Sequence, residues 1–90
     1  MKEIYTKELN KLAIGFIKRE ISFEFKPLFN GDGGAIFWDG CDAICQDGSY
    51  GRAEGLLEIM GNLVDEAKID DTVEGYLTAE EILRRIDERK

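Results

Sequence analysis

A single small α+β domain, in the order α-β-β-β-α-α, is what this sequence predicts, and three observations carry that prediction. The chain has 90 residues, well below the size at which cores divide. It is 43% hydrophobic and 34% charged, too apolar and too patterned for a disordered chain. Its apolar spacing switches from three-to-four to strict alternation and back again, which sets helices beside strands. Residues 1–90 are therefore expected to form one compact domain, a three-stranded antiparallel meander packed against helices.

The elements follow in order. Tyr5, Leu9, Leu12, Ala13, Phe16 and Ile17 recur at helical spacing, with Lys7, Glu8, Lys11 and Lys18 on the other side. Ile21-Ser22-Phe23-Glu24-Phe25-Lys26 then alternates apolar and polar residues, the mark of a strand with one buried face. Pro27 ends or edges that strand, because it has no N–H for a ladder. Asn30-Gly31-Asp32-Gly33-Gly34 reads as a turn, and Ala35–Asp39 and Ala43–Gln46 as two further strands. A second helix is expected over 53–64, where Ala53, Leu56, Leu57, Met60, Leu63 and Val64 form an apolar stripe that Gly55 and Gly61 weaken. Residues 65–76 read as an acidic connector. The third helix has the clearest start: Thr78 as N-cap, Glu81 three residues on, and Leu77 and Ile82 at the staple positions. Ile82, Leu83 and Ile86 would face inward, and Arg84, Arg85, Arg89 and Lys90 suit the negative end of the helix dipole.

Charge is unevenly placed. The net charge is −7, yet residues 29–82 alone carry −11, with Arg52 and Lys68 as their only cations. Such a field disfavours nucleic-acid phosphates and anionic lipid and favours a basic protein surface. It also keeps a small domain soluble, a role that asks for no partner. No apolar run approaches bilayer length, and the N-terminus lacks an apolar signal core, so a cytoplasmic setting is expected.

The chemistry the chain lacks is legible too. It contains no histidine, which removes the usual general base, a zinc nitrogen ligand and the Ser–His and Cys–His nucleophile pairs. Ser22 and Ser49 stand in no nucleophile elbow. Cys41 and Cys45, expected in a loop and a buried strand, are spaced C-x3-C; within one strand, residues four apart span about 13 Å, beyond the reach of a disulfide. Both are expected to be reduced, and two thiolates without histidine make half a zinc site. Asn30-Gly31-Asp32 starts like a calcium loop but has Gly34 and Cys41 where ligands are needed. Gly48-Ser49-Tyr50-Gly51 could present N–H groups to a phosphate, though it lacks the P-loop lysine and has Asp47 and Glu54 beside it. No catalytic residue, metal or cofactor is expected, and the protein is not expected to be an enzyme.

Aromatic residues Phe29, Phe37, Trp38 and Tyr50 gather around the meander. Phe37 and Trp38 are consecutive, so on a strand they cannot share a face. One ring must turn from the core, and Trp and Tyr dominate interface hot spots. The candidate partner-binding residues are thus Trp38 and Tyr50 with the acids Asp65, Glu66, Asp70, Asp71 and Glu74.

Two stretches also carry a resemblance. Ser49-Tyr50-Gly51 with Gly55-Leu56-Leu57-Glu58-Ile59-Met60-Gly61, then Gly75-Tyr76-Leu77-Thr78-Ala79-Glu80-Glu81, resemble small uncharacterised proteins of low-GC Gram-positive bacteria and their phages and prophages; Asp42-Ala43-Ile44-Cys45 fits the same pattern. The likeness covers about the C-terminal half. It implies a mobile-element setting, in which small acidic proteins often inhibit host defence, and by analogy an anti-CRISPR-like inhibitor with a DNA-mimic-type acidic face. The expected function is a non-catalytic module that binds the basic surface of a host protein handling nucleic acid or defence, without binding nucleic acid or membrane itself. A small-molecule or nucleotide-binding module and a host regulatory or structural adaptor are the alternatives. Oligomeric state is left open.

Overall fold

The computed structural model describes residues 4–28, 32–46, 48–61, 63 and 73–89. Helix α1 (Ile4–Lys18) leads into strands β1 (Glu24–Pro27), β2 (Gly34–Trp38) and β3 (Cys41–Cys45). A 3-10 turn (Arg52–Glu54) follows, then β4 (Leu57–Gly61), β5 (Val73–Leu77) and helix α2 (Ala79–Glu88). The five strands form one antiparallel sheet in the order β1-β2-β3-β4-β5.

The α+β class stands, but the expected three-stranded meander is a five-stranded sheet, and the expected helix over 53–64 is a 3-10 turn and a strand. The reason is local. Gly51 and Gly55, at φ 94° and 72°, bracket the turn in left-handed conformations that stop a helix after one turn. Beyond them Leu57 and Ile59 are wholly buried while Met60 is exposed, which is the period of a strand. The acidic connector read over 65–76 gives way to β5 at Val73. The first strand starts at Glu24 instead of Ile21, and Cys41 opens β3 instead of lying in a loop.

Burial builds the core on one side of the sheet. Cross-strand register sets Ile36 beside Ala43 and Ala43 beside Ile59, and all three are fully buried. Against this row pack Leu9, Leu12 and Phe16 of α1 and Ile82 of α2. Ile17, expected among the inward residues of α1, is exposed instead. At the C-terminus of α1, Ile21 N–H donates to Phe16 O (2.9 Å) and Glu20 N–H to Ile17 O (3.1 Å), with Glu20 at φ 58°. That is a Schellman cap with glutamate where glycine is usual.

The start of α2 matches its reading. The Thr78 hydroxyl oxygen accepts from Glu81 N–H at 3.2 Å and donates to Glu81 Oε1 at 3.2 Å. A second contact ties the two helices: Ala79 N–H donates to Glu8 Oε1 of α1 at 2.8 Å, so a distant carboxylate satisfies a first-turn donor.

Candidate functional site

Among the described residues both helices pack on one face of the sheet, and the other face is the surface to examine. Alternation assigns its residues. Register aligns Glu24, Phe37, Asp42, Met60 and Val73 in one row across β1 to β5, and Lys26, Ala35, Ile44 and Glu58 in the adjacent row. Phe37 is 38% exposed and Met60 46%, large apolar side chains with water on one side. The question of which neighbouring ring faces out is thereby settled: Trp38 turns inward, its ring edge-on to Phe16 with centroids 5.0 Å apart.

Charge on this face divides into a satisfied end and an open middle. At the β1 edge the Lys26 ammonium lies 5.4 Å from the Phe37 ring centroid and 3.6 Å from Glu24 Oε1. In the middle, Asp42 on β3 and Glu58 on β4 are diagonal neighbours, because Asp42 pairs with Met60 and Ile44 with Glu58. No cation among the described residues forms an ion pair with either. Burial among the flanking side chains, with repulsion from Glu58 added, holds the Asp42 carboxyl above its usual range.

The Glu58 end of this face has a built rim. Tyr50 N–H donates to Glu58 Oε1 at 3.0 Å, fixing that carboxylate. Tyr50 and Tyr76 are 54% and 59% exposed. A register shift between Leu57 and Ile59 accompanies a left-handed Tyr76 (φ 59°), a conformation rare for a bulky residue. Tyr50 rests against Gly75, where any Cβ would collide with it.

The residues singled out from sequence fare differently. Asp65, Glu66, Asp70 and Asp71 lie outside the described residues, as does Phe29. Glu74 is on the helix side, where both its oxygens accept from the Arg85 guanidinium at 2.6 Å, and both side chains are largely buried. Its charge serves the fold. Trp38 is part of the core margin, and Tyr50 is at the rim of the open face. Asp42, Glu58, Met60 and Tyr76 were not singled out as a site, and Phe37 was named only as one of two rings that could face out; Glu58 comes near Asp42 only once 57–61 is a strand.

Two other places were candidates for small ligands. In the Gly48–Gly51 turn, Ser49 N–H donates to Gln46 O (2.9 Å), Tyr50 N–H to Glu58, and Arg52 N–H to Ser49 O (3.4 Å). The Ser49 hydroxyl donates to Gln46 O as well (2.7 Å), so it closes the loop and caps no helix. Those donors are taken, which leaves little for a phosphate. A groove of about 450 Å³ lies between α1 and α2. Four of its six charged side chains pair within the chain, Glu8 with Lys11 (3.5 Å) and Arg19 with Asp87 (2.8 Å). Neither cysteine forms a disulfide and both are buried, and the described residues hold no metal-ligating cluster. No described helix is long and apolar enough to cross a membrane.

Comparison with protein-family models, with curated proteins and with solved structures finds no match to this chain.

Proposed function

We propose that this chain is a non-catalytic protein-binding module that offers the open face of its sheet to a basic surface on a partner protein. The observation that carries the reading is the Asp42–Glu58 pair, two acidic residues on a cross-strand diagonal among Phe37, Ile44 and Met60 with no cation of the described residues bound to them. Glu58 accepts from Tyr50 N–H, but setting Asp42 near it costs the fold: like charges on adjacent strands repel, and burial raises the cost. A partner that brings a cation removes both penalties, and the exposed aromatic and thioether side chains supply apolar contact around it. The net charge of −7 adds long-range attraction for the same class of partner.

The setting we propose for this binding, from the resemblance of residues 42–45, 49–51, 55–61 and 75–81 to small uncharacterised proteins of low-GC Gram-positive bacteria and their phages and prophages, is inhibition of a host nucleic-acid-handling or defence protein by occupying its basic surface. Affinity capture from a host lysate with nuclease present identifies the partner, and kinetics at several salt concentrations test the mode. Association should slow steeply as salt rises, and Asp42→Lys with Glu58→Lys should slow it further while flattening that dependence. Salt-independent association, unchanged by the double reversal, would remove the reading.

A further inference from the structure

Resting on that reading, we infer that the open face seats an arginine side chain of the partner, its guanidinium held between Asp42 and Glu58 and flanked by Met60 and Ile44. Three features of the face favour this occupant. First, the carboxylates are separated by a cross-strand diagonal, a backbone spacing of about 7–8 Å, so one donor group must reach two acceptors at once. A planar guanidinium with five N–H donors does this, whereas an ammonium is a compact point charge. Second, the acceptors are pre-set: Tyr50 N–H anchors Glu58 Oε1, which leaves Oε2 for the partner. Third, the surroundings include the exposed apolar side chains of Phe37 and Met60, and a weakly hydrated guanidinium loses less than an ammonium on leaving water there.

Lys26 already covers Phe37 at the β1 edge, pinned by Glu24, so a second cation is directed to the unmatched middle. The exposed Tyr50 and Tyr76 rings stand where neighbouring partner residues would pack, the arrangement of an anchor ringed by contacts that exclude water.

The test uses the full chain, isotope-labelled, titrated at low salt with hexa-arginine, hexa-lysine and hexa-citrulline amides while backbone amide resonances are followed. Hexa-arginine should shift the amides of residues 42–44 and 58–60 together, hexa-lysine should bind this patch several-fold more weakly, and uncharged hexa-citrulline should not shift it. Asp42→Asn and Glu58→Gln should each weaken hexa-arginine binding about tenfold, or 1.4 kcal/mol, with dispersed spectra retained. Glu80→Gln, on the helix face, should leave it unchanged. Shifts centred on the α1–α2 groove, equal binding of the lysine peptide at residues 42–60, or indifference to both substitutions would overturn the arginine seat. Should one variant fail to fold, the wild-type shift map and the other variant still decide. If hexa-arginine binds elsewhere while the captured partner stays salt-sensitive, only the seat fails; if no cationic peptide binds and the partner ignores salt, the broader reading fails too.

Discussion

Glu74 of β5 and Arg85 of α2 are joined by two parallel hydrogen bonds of 2.6 Å, which clamp the last strand to the last helix. Arg85 also donates to Leu63 O at 3.3 Å, so one guanidinium gathers β5, α2 and the chain just past β4. Glu74→Ala removes both of these acceptors from a guanidinium of which only 16% of the side chain meets water. The expected loss is about 2–3 kcal/mol, somewhat below the 3–5 kcal/mol for breaking a fully buried pair. Urea unfolding measures it; a loss under about 0.5 kcal/mol, the range of an exposed pair, would reassign the clamp to the surface class.

Where the sequence was readable, the signal was short-range. α1 follows from its apolar spacing and α2 from Thr78 and Glu81, because a helix start is decided by side chains three residues away. β4 was misread because Leu56, Leu57, Met60 and Leu63 satisfy helical spacing while Leu57 and Ile59 also alternate. Short apolar runs support both periods, and only the left-handed glycines and the pairing with β3 and β5 decide. The candidate site inherits that error. Asp42 and Glu58 are sixteen positions apart and come near each other only through strand register, and Glu74, read as part of an acidic connector and as a docking acid, is turned inward by the bulge in β5.

The capping contact of α2 gives a second prediction. Thr78→Ala removes the acceptor for Glu81 N–H and should cost about 0.5–2 kcal/mol. Thr78→Ser keeps the hydroxyl and should recover most of that. Denaturant midpoints compare the three proteins, and an alanine variant as stable as the parent would show that Glu8, at Ala79 N–H, already suffices for this helix end.

Cys41 and Cys45 stand four residues apart in β3, so their Cα atoms are about 13 Å apart, against a disulfide limit near 7 Å. Burial also pushes the Cys45 thiol up, away from the reactive thiolate. A reductant should leave the melting temperature unchanged. A thiol reagent should react slowly with the folded protein and find both cysteines after denaturation; finding none in denaturant would mean a bridge.

Asp42 supplies the prediction that ties stability to function. Burial, then the charge of Glu58, holds its carboxyl above the usual range, so the folded protein binds that proton more tightly than the unfolded chain does. The sign follows from linkage. Below the unfolded value, about 3.9, the group contributes stability; that contribution is lost as pH rises through the higher folded value and is gone at neutrality. The substitution Asp42→Asn keeps the shape without the charge, and the amide can still reach water at this half-exposed position. That variant should therefore be more stable than the parent near pH 7, and the gap should be smaller at pH 4, because the fold favours the protonated carboxyl as pH falls. Glu58→Gln should narrow the gap at neutral pH, because it removes the second cause of the raised value. Urea midpoints for the parent, the two single variants and the double variant, at the two pH values, make the comparison; comparing variants cancels the acid response of the other carboxylates. A less stable Asp42→Asn protein at neutral pH would mean that an intramolecular contact holds the charge. The expected gain, set beside a loss of arginine-peptide binding in the same variant, would identify Asp42 as a carboxylate that costs the fold stability and is retained for docking.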